Sequence, residues 1–309
     1  MKLTKKVTVD KSRGEKLVNT IKGQFNMLHS MDYYDDYEIE KMLLKQKELE
    51  LHYIKNRFEF PKQYVQFSPS GADKCSRELF YKVNKATKDE QSSYPYQKRW
   101  TRNSTFVHEA VQRDLLYMEK MLPNPAFKVG RITEGIAKGL PAWEKNIQKY
   151  KVITWKGETF VLYGMVDAFL DYKDGSKVGF EFKTKSVTVD RVSKLKAPSI
   201  SHKKQAIGYS LLFSPDEIVE GQPLVTPTTL DEYIIFYESV AKDEWRAGNF
   251  AADDMKAFYL NVTEKQKITL LDKMADVAAR SGTGEAPDRK TSKCMFCNYK
   301  TICLDDVTL

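Results

Sequence analysis

The chain has no run of about eighteen apolar residues, so no segment reads as a membrane-spanning helix. Met1-Lys2-Leu3-Thr4-Lys5-Lys6 leads into Val7-Thr8-Val9-Asp10 without the apolar core of a signal peptide, and the expectation is a soluble, cytoplasmic protein. No internal repeat is present, and no G-x-x-x-x-G-K-[ST] motif occurs, so the chain carries no P-loop with which to drive work by ATP. Cysteine is scarce, with four residues in 309, and an intracellular chain is not expected to spend them on disulfides.

What is present suits a globular protein. A hydrophobic fraction of 41% can fill the core of one large domain or two modest ones. Fifty Lys and Arg against 42 Asp and Glu leave a net charge of +8, which favours a polyanionic partner without requiring one.

Periodicity predicts a long polar helix over residues 37–60 and a second over 101–121, capped by Asn103 or Ser104. Strands are expected over 149–155 and 160–172, around Lys156-Gly157. Asp174-Gly175 then joins 162–172 to 177–185 as a hairpin. A helix over 201–213 and a strand over 232–237 follow, and residues 243–259 and 263–280 have helical composition. The sheet is thus expected in the middle of the chain.

The hairpin carries the chemistry. It folds Glu181 back toward Asp167, and alternation puts Glu181 and Lys183 on one strand face with Phe180 and Phe182 on the other. Two carboxylates suit Mg²⁺ or Mn²⁺, and a lysine beside them can orient a water and offset charge. The plain alternative is an ordinary Glu-Lys pair on a solvated hairpin. His108 falls on the inward face of its predicted helix, with Val111, Gln112 and Leu115, where a core histidine and a ligand are both admissible. Gln205 and Tyr209 stand one helical turn apart and can meet a common partner. Around them Lys183, Lys185, Arg191, Lys194, Lys196, His202, Lys203 and Lys204 have the density of a phosphate-contacting or a solvated basic segment. Cys75 with Cys294-x2-Cys297-x5-Cys303 can supply four thiolates to Zn²⁺ or an iron–sulfur cluster, or the four can be unrelated thiols.

Taken in order, His108, Gly164-x-x-Asp167, Glu181-x-Lys183 and Gln205-x-x-x-Tyr209 resemble the motif series of PD-(D/E)XK nucleases of the RecB-like branch. With Cys75 and the C-terminal cysteines, the series resembles the iron–sulfur exonuclease subgroup, which includes AddB-type nuclease domains and CRISPR-associated single-domain exonucleases. The stretch from Ser68 to Tyr81 also resembles that subgroup's first cysteine segment, and the match spans residues 68 to 303. Val166 stands where the family name has proline, a position the RecB-like branch often leaves without it.

The resemblance implies an α/β, restriction-endonuclease-like core with a central mixed sheet flanked by helices. It implies a nuclease domain over 61–309 with an iron–sulfur-stapled C-terminal tail; residues 1–60 find no counterpart in it and are expected to form a helical N-terminal extension. By the resemblance, His108, Asp167, Glu181 and the main-chain carbonyl of Phe182 bind Mg²⁺ or Mn²⁺, and Lys183 positions the attacking water. Gln205 and Tyr209 support the site and contact DNA, with Lys185, Lys203 and Lys204 as further DNA contacts. The cysteines hold a 4Fe-4S cluster, with Zn²⁺ as the alternative. The implied activity is metal-dependent exonucleolytic hydrolysis of DNA in recombination, repair or phage DNA processing, in the bacterial host cytoplasm if phage-encoded. A helicase or recombination protein is an implied partner. The alternative is a non-catalytic DNA-binding or partner-recruiting protein on the same fold.

Overall fold

Asp174 and Gly175 turn the chain through the expected hairpin, with Gly175 at a φ of 83° and the Asp174 carboxylate accepting from the Ser176 N–H and hydroxyl. The computed structural model describes residues 11–32, 35–90, 94–247 and 250–305. Helices α1 (Lys11–Leu28) and α2 (Tyr37–Lys55) precede β1 (Val65–Phe67), α3 (Ser76–Val83), α4 (Pro95–Met121) and β2 (Phe127–Val129). The centre comprises β3 (Lys149–Trp155), β4 (Glu158–Gly164), β5 (Ala168–Tyr172), β6 (Lys177–Lys185), α5 (Val189–Ser193) and α6 (Ile200–Phe213). Then come β7 (Glu232–Ser239), β8 (Arg246–Ala247), β9 (Phe250–Ala251), β10 (Met255–Asn261), α7 (Glu264–Thr283) and α8 (Lys300–Asp305).

The main sheet has the order β10-β7-β6-β5-β2 and is mixed, because β6 and β7 run parallel while the other neighbours are antiparallel. A smaller sheet, β1-β4-β3, is also mixed. Alternation along β6 separates two cores. Phe180 and Phe182 join Leu17, Ile21 and Phe25 of α1 and Leu115 of α4 on one face. The other face packs Phe169 and Tyr233 against Tyr209 and Leu212 of α6 and Leu271 and Met274 of α7. Glu181 faces the second of these cores at 0% exposure.

Several sequence expectations shift. The run 160–172 divides into β4 and β5, which belong to different sheets, and Met165-Val166-Asp167 forms the break. The helix ascribed to 243–259 is instead occupied from Met255 by β10, paired antiparallel with β7. Its composition yields to tertiary demand: β10 pairs with β7 on the side away from β6, and its Met255 and Ala257 pack in the α1 core. Helix α2 stops at Lys55, before Phe60. Helix α4 begins two turns before Asn103, at Pro95, where proline is favoured and the Gln97 side chain accepts the Tyr94 N–H.

Candidate active site

Asp167 lies where β5 starts, one residue before the ladder with β6, and its Oδ2 accepts the backbone N–H of Phe182 at 2.8 Å. That bond fixes the carboxylate at the mouth of the sheet. Across from it, α4 brings in His108, whose ring meets Phe182 edge-on at 4.8 Å. The third arrival is Glu144, in the 3-10 turn Glu144–Ile147. His108, Glu144 and Asp167 each offer a ligand atom, and these atoms lie within 4.8 Å of one another.

Glu144 reaches the site because its segment runs beside β5: Phe169 N–H donates to the Ala142 carbonyl at 3.0 Å and Glu144 N–H to the Val166 carbonyl at 2.8 Å. Next to it the buried Trp143 donates its indole N–H to Gln46 of α2 at 2.7 Å. Glu144 itself is held at a φ of 40°, a left-handed conformation costly for a residue with a Cβ. Such an outlier among potential ligands points toward function. In sequence it was one acidic residue among 42, with no motif around it.

Glu181 and Lys183 project from the α6 face of β6 and form an ion pair. The Tyr209 hydroxyl is a second polar neighbour of the buried Glu181 carboxylate. Tyr209 is buried nearby and accepts the Gln205 amide at 2.7 Å. Thus Gln205, Tyr209, Glu181 and Lys183 share the α6 side of the sheet, while His108 approaches from the α4 side and Asp167 stands between. The Phe182 N–H serves Asp167, whereas its side chain belongs to the α4 core.

The electrostatics are those of a crowded acidic site. Burial and the Asp167 charge push Glu144 up to about 7. The same two causes raise Glu181. Burial lowers His108, favouring the neutral imidazole that can ligate a metal. Burial opposes the charge on Lys183, but Glu181 and Asp167 outweigh it and hold the ammonium protonated. A buried carboxylate pushed up beside Asp167 and a convergent N,O,O trio fit a small divalent cation, which would restore the ionised state of these acids.

The lysines expected to contact DNA fall in two places. Lys185 lies over the Tyr237 ring at 4.9 Å, while Lys204 pairs with Asp73 at 3.0 Å. Lys203 is half-buried and shares a cleft with Lys204, Ile200, Ile207 and Lys273.

A second constellation connects to α6 through Asp73. Cys75, Cys294, Cys297 and Cys303 line one cavity together with Arg77 and Lys300. The Cys75 sulfur caps α3 by accepting the Glu78 N–H at 3.3 Å. Asp73 joins this corner to α6, through Lys293 at 2.6 Å and Lys204 at 3.0 Å. Gly208 permits the junction, since a Cβ there would meet the Pro69 backbone at 2.8 Å.

No protein-family model matches the chain, and no curated protein matches it in sequence. Among solved structures, the chain is similar to the protein SSO0001, at 15% identity and a TM-score of 0.44, over 89% of this chain and 100% of the other. It is also similar to an alkaline exonuclease, LHK-Exo, from Laribacter hongkongensis, at 10% identity and a TM-score of 0.40, over 72% of this chain and 90% of that one. Similarity at this level assigns no activity. Among the described residues, no helix is long and apolar enough to cross a membrane.

Proposed function

We propose that the protein is a metal-dependent DNA nuclease of the PD-(D/E)XK type, acting as an exonuclease. The observation that carries the reading is the convergence of His108, Glu144 and Asp167 at the sheet mouth, with Glu181 and Lys183 on the neighbouring strand. His108, Asp167 and Glu144 are the groups to hold Mg²⁺ or Mn²⁺, joined by Glu181 and the Phe182 carbonyl. When bound, the cation supplies charge neutralisation at a phosphodiester and acidifies a water. Lys183, kept charged by Glu181 and Asp167, orients that water and offsets negative charge developing on the phosphate. Tyr209, fixed by Gln205, limits the motion of Glu181 and closes the site from the α6 side. Lys185 and Lys203 contribute positive charge for the DNA backbone. Recombination, repair or phage DNA processing, with a helicase or recombination protein as partner, are the settings this activity suits.

The four cysteines form, in this reading, a 4Fe-4S or zinc staple with a structural task. Supporting it, four thiols line one cavity, and Arg77 and Lys300 beside them offset thiolate charge. The test combines both sites. Anaerobically purified protein is assayed for iron, sulfide and zinc, then incubated with end-labelled single- and double-stranded DNA with Mg²⁺, with Mn²⁺ and with EDTA. Metal-dependent release of nucleotides from the ends is the expected result. Absence of cleavage on every DNA form with either metal would overturn the nuclease assignment and leave a non-catalytic DNA-binding protein.

A further inference from the structure

The early start of α4 leaves a feature the cleavage chemistry does not use. From Tyr94 to Phe106 every residue except Ser104 is exposed, so the first three turns of the helix stand clear of the core. A helix without packing is marginal in water, which makes an exposed helical arm a structure waiting for a cover. Its side chains are unusual for a solvated surface. Trp100 is 56% and Phe106 is 61% exposed, and Tyr94 and Tyr96 are exposed as well. Tyr94 and Tyr96 stack at 5.7 Å with planes 9° apart, and Trp100 meets Tyr96 edge-on at 4.9 Å. At 100° per residue, Tyr96, Arg99, Trp100, Asn103 and Phe106 fall within about 120° of one another. Between Tyr94 and His108 there are three basic residues, Lys98, Arg99 and Arg102, and no acidic one.

The root of this arm is fastened to the catalytic strand. Thr184, next to Lys183, donates its hydroxyl to Ser104 at 2.9 Å, and His108 packs on Phe182. Trp100 precedes His108 by eight residues, about 12 Å of helix, the rise of three to four stacked nucleotides. We propose that the N-terminal half of α4 is a stacking platform for unpaired nucleotides, holding a single-stranded segment of DNA at the entrance to the metal site. Tyr96, Trp100 and Phe106 would take the base faces, and Arg99, on the same face, the phosphates. Aromatic faces with interspersed cations accept any base, so the platform selects for strandedness rather than sequence.

The proposal gives the nuclease reading its substrate form and takes its biological meaning from it, but it is tested without cleavage. The full-length protein in EDTA is titrated against a short labelled thymidine strand and against a blunt duplex of the same length, by fluorescence anisotropy. Trp100→Ala, Tyr96→Ala and Phe106→Ala should each weaken single-strand binding about 5- to 150-fold, with unchanged circular dichroism and little effect on the duplex. Arg99→Ala should lower the slope of log affinity against log salt by about 1. Equal affinity of the folded Trp100→Ala variant and the parent for the single strand, or equal loss for both DNA forms, would overturn the platform. So would a Trp100→Ala variant that loses self-association in sedimentation while keeping its single-strand affinity, since the face would then be an interface between copies. Strand-selective binding through Trp100 without metal-dependent cleavage would sink the nuclease reading and keep the platform; cleavage with unaltered binding would do the reverse.

Discussion

The sheet mouth and the cysteine corner both reach α6, the first through Gln205 and Tyr209 and the second through Lys204, and they are built on opposite principles. At the mouth, Glu144, Asp167 and Glu181 crowd together, burial raises two of these carboxylates, and one acid sits in a costly backbone conformation. The corner has half-buried thiols among cations, an N-cap made by a sulfur, and ion pairs through Asp73. The mouth concentrates burial and like charge that a bound cation would relieve; the corner brings residues 294–303 against Cys75. Removing a group should therefore have opposite consequences at the two places.

The sharpest break of that contrast is catalytic. Asp167→Asn, Glu181→Gln and Lys183→Met should each reduce cleavage by about 10²-fold or more, while the two carboxylate variants melt no lower than the parent in EDTA. A variant that loses both activity and several degrees of stability would make the mouth a structural element. Next in size, Cys75→Ser or Cys303→Ser should lower the melting temperature by more than about 5 °C and release bound metal, because metal affinity at such a site is folding free energy. Retained metal and melting temperature would deny the corner its role as a staple.

The third effect is a pH dependence. The Glu144 carboxyl is raised from its ordinary 4.5 to about 7, so between these values the folded protein binds more protons than the unfolded chain and stability falls as pH rises. At about 1.4 kcal/mol for each pH unit the decline approaches 3 kcal/mol. It should be visible in denaturant melts in EDTA, flattened by Glu144→Gln and by Mn²⁺. A decline that Mn²⁺ leaves intact would place Glu144 outside the cation site. The smallest effect belongs to Asp73→Asn, which breaks two partly exposed ion pairs and should shift the melting temperature by no more than about 2 °C.

Some of this was legible because the signals are local. The Asp174-Gly175 turn needs only a glycine able to adopt positive φ, and alternation fixes which side of β6 carries Glu181. Helix α6 matches its expected span to one residue, Ile200–Phe213, since its cap and apolar content are its own. Where the signal depends on a distant neighbour, it fails. Residues 255–259 look helical until β7 is placed beside them. The start of α4 was missed because Pro95 and Gln97 cap a stretch with no inward apolar stripe, which periodicity cannot register.

By itself the sequence determined the chemistry on offer: an acid–lysine strand, an inward histidine, a glutamine–tyrosine helix and four thiols in two segments. Residue type and short spacing express those properties, and both are fixed covalently. Only the tertiary structure decided which groups meet. Glu144 enters the site, 23 positions before Asp167, because its backbone bonds to Val166 and its neighbour Trp143 anchors on α2. Those are long-range contacts that the sheet mouth creates by folding, and no local pattern in the chain encodes them.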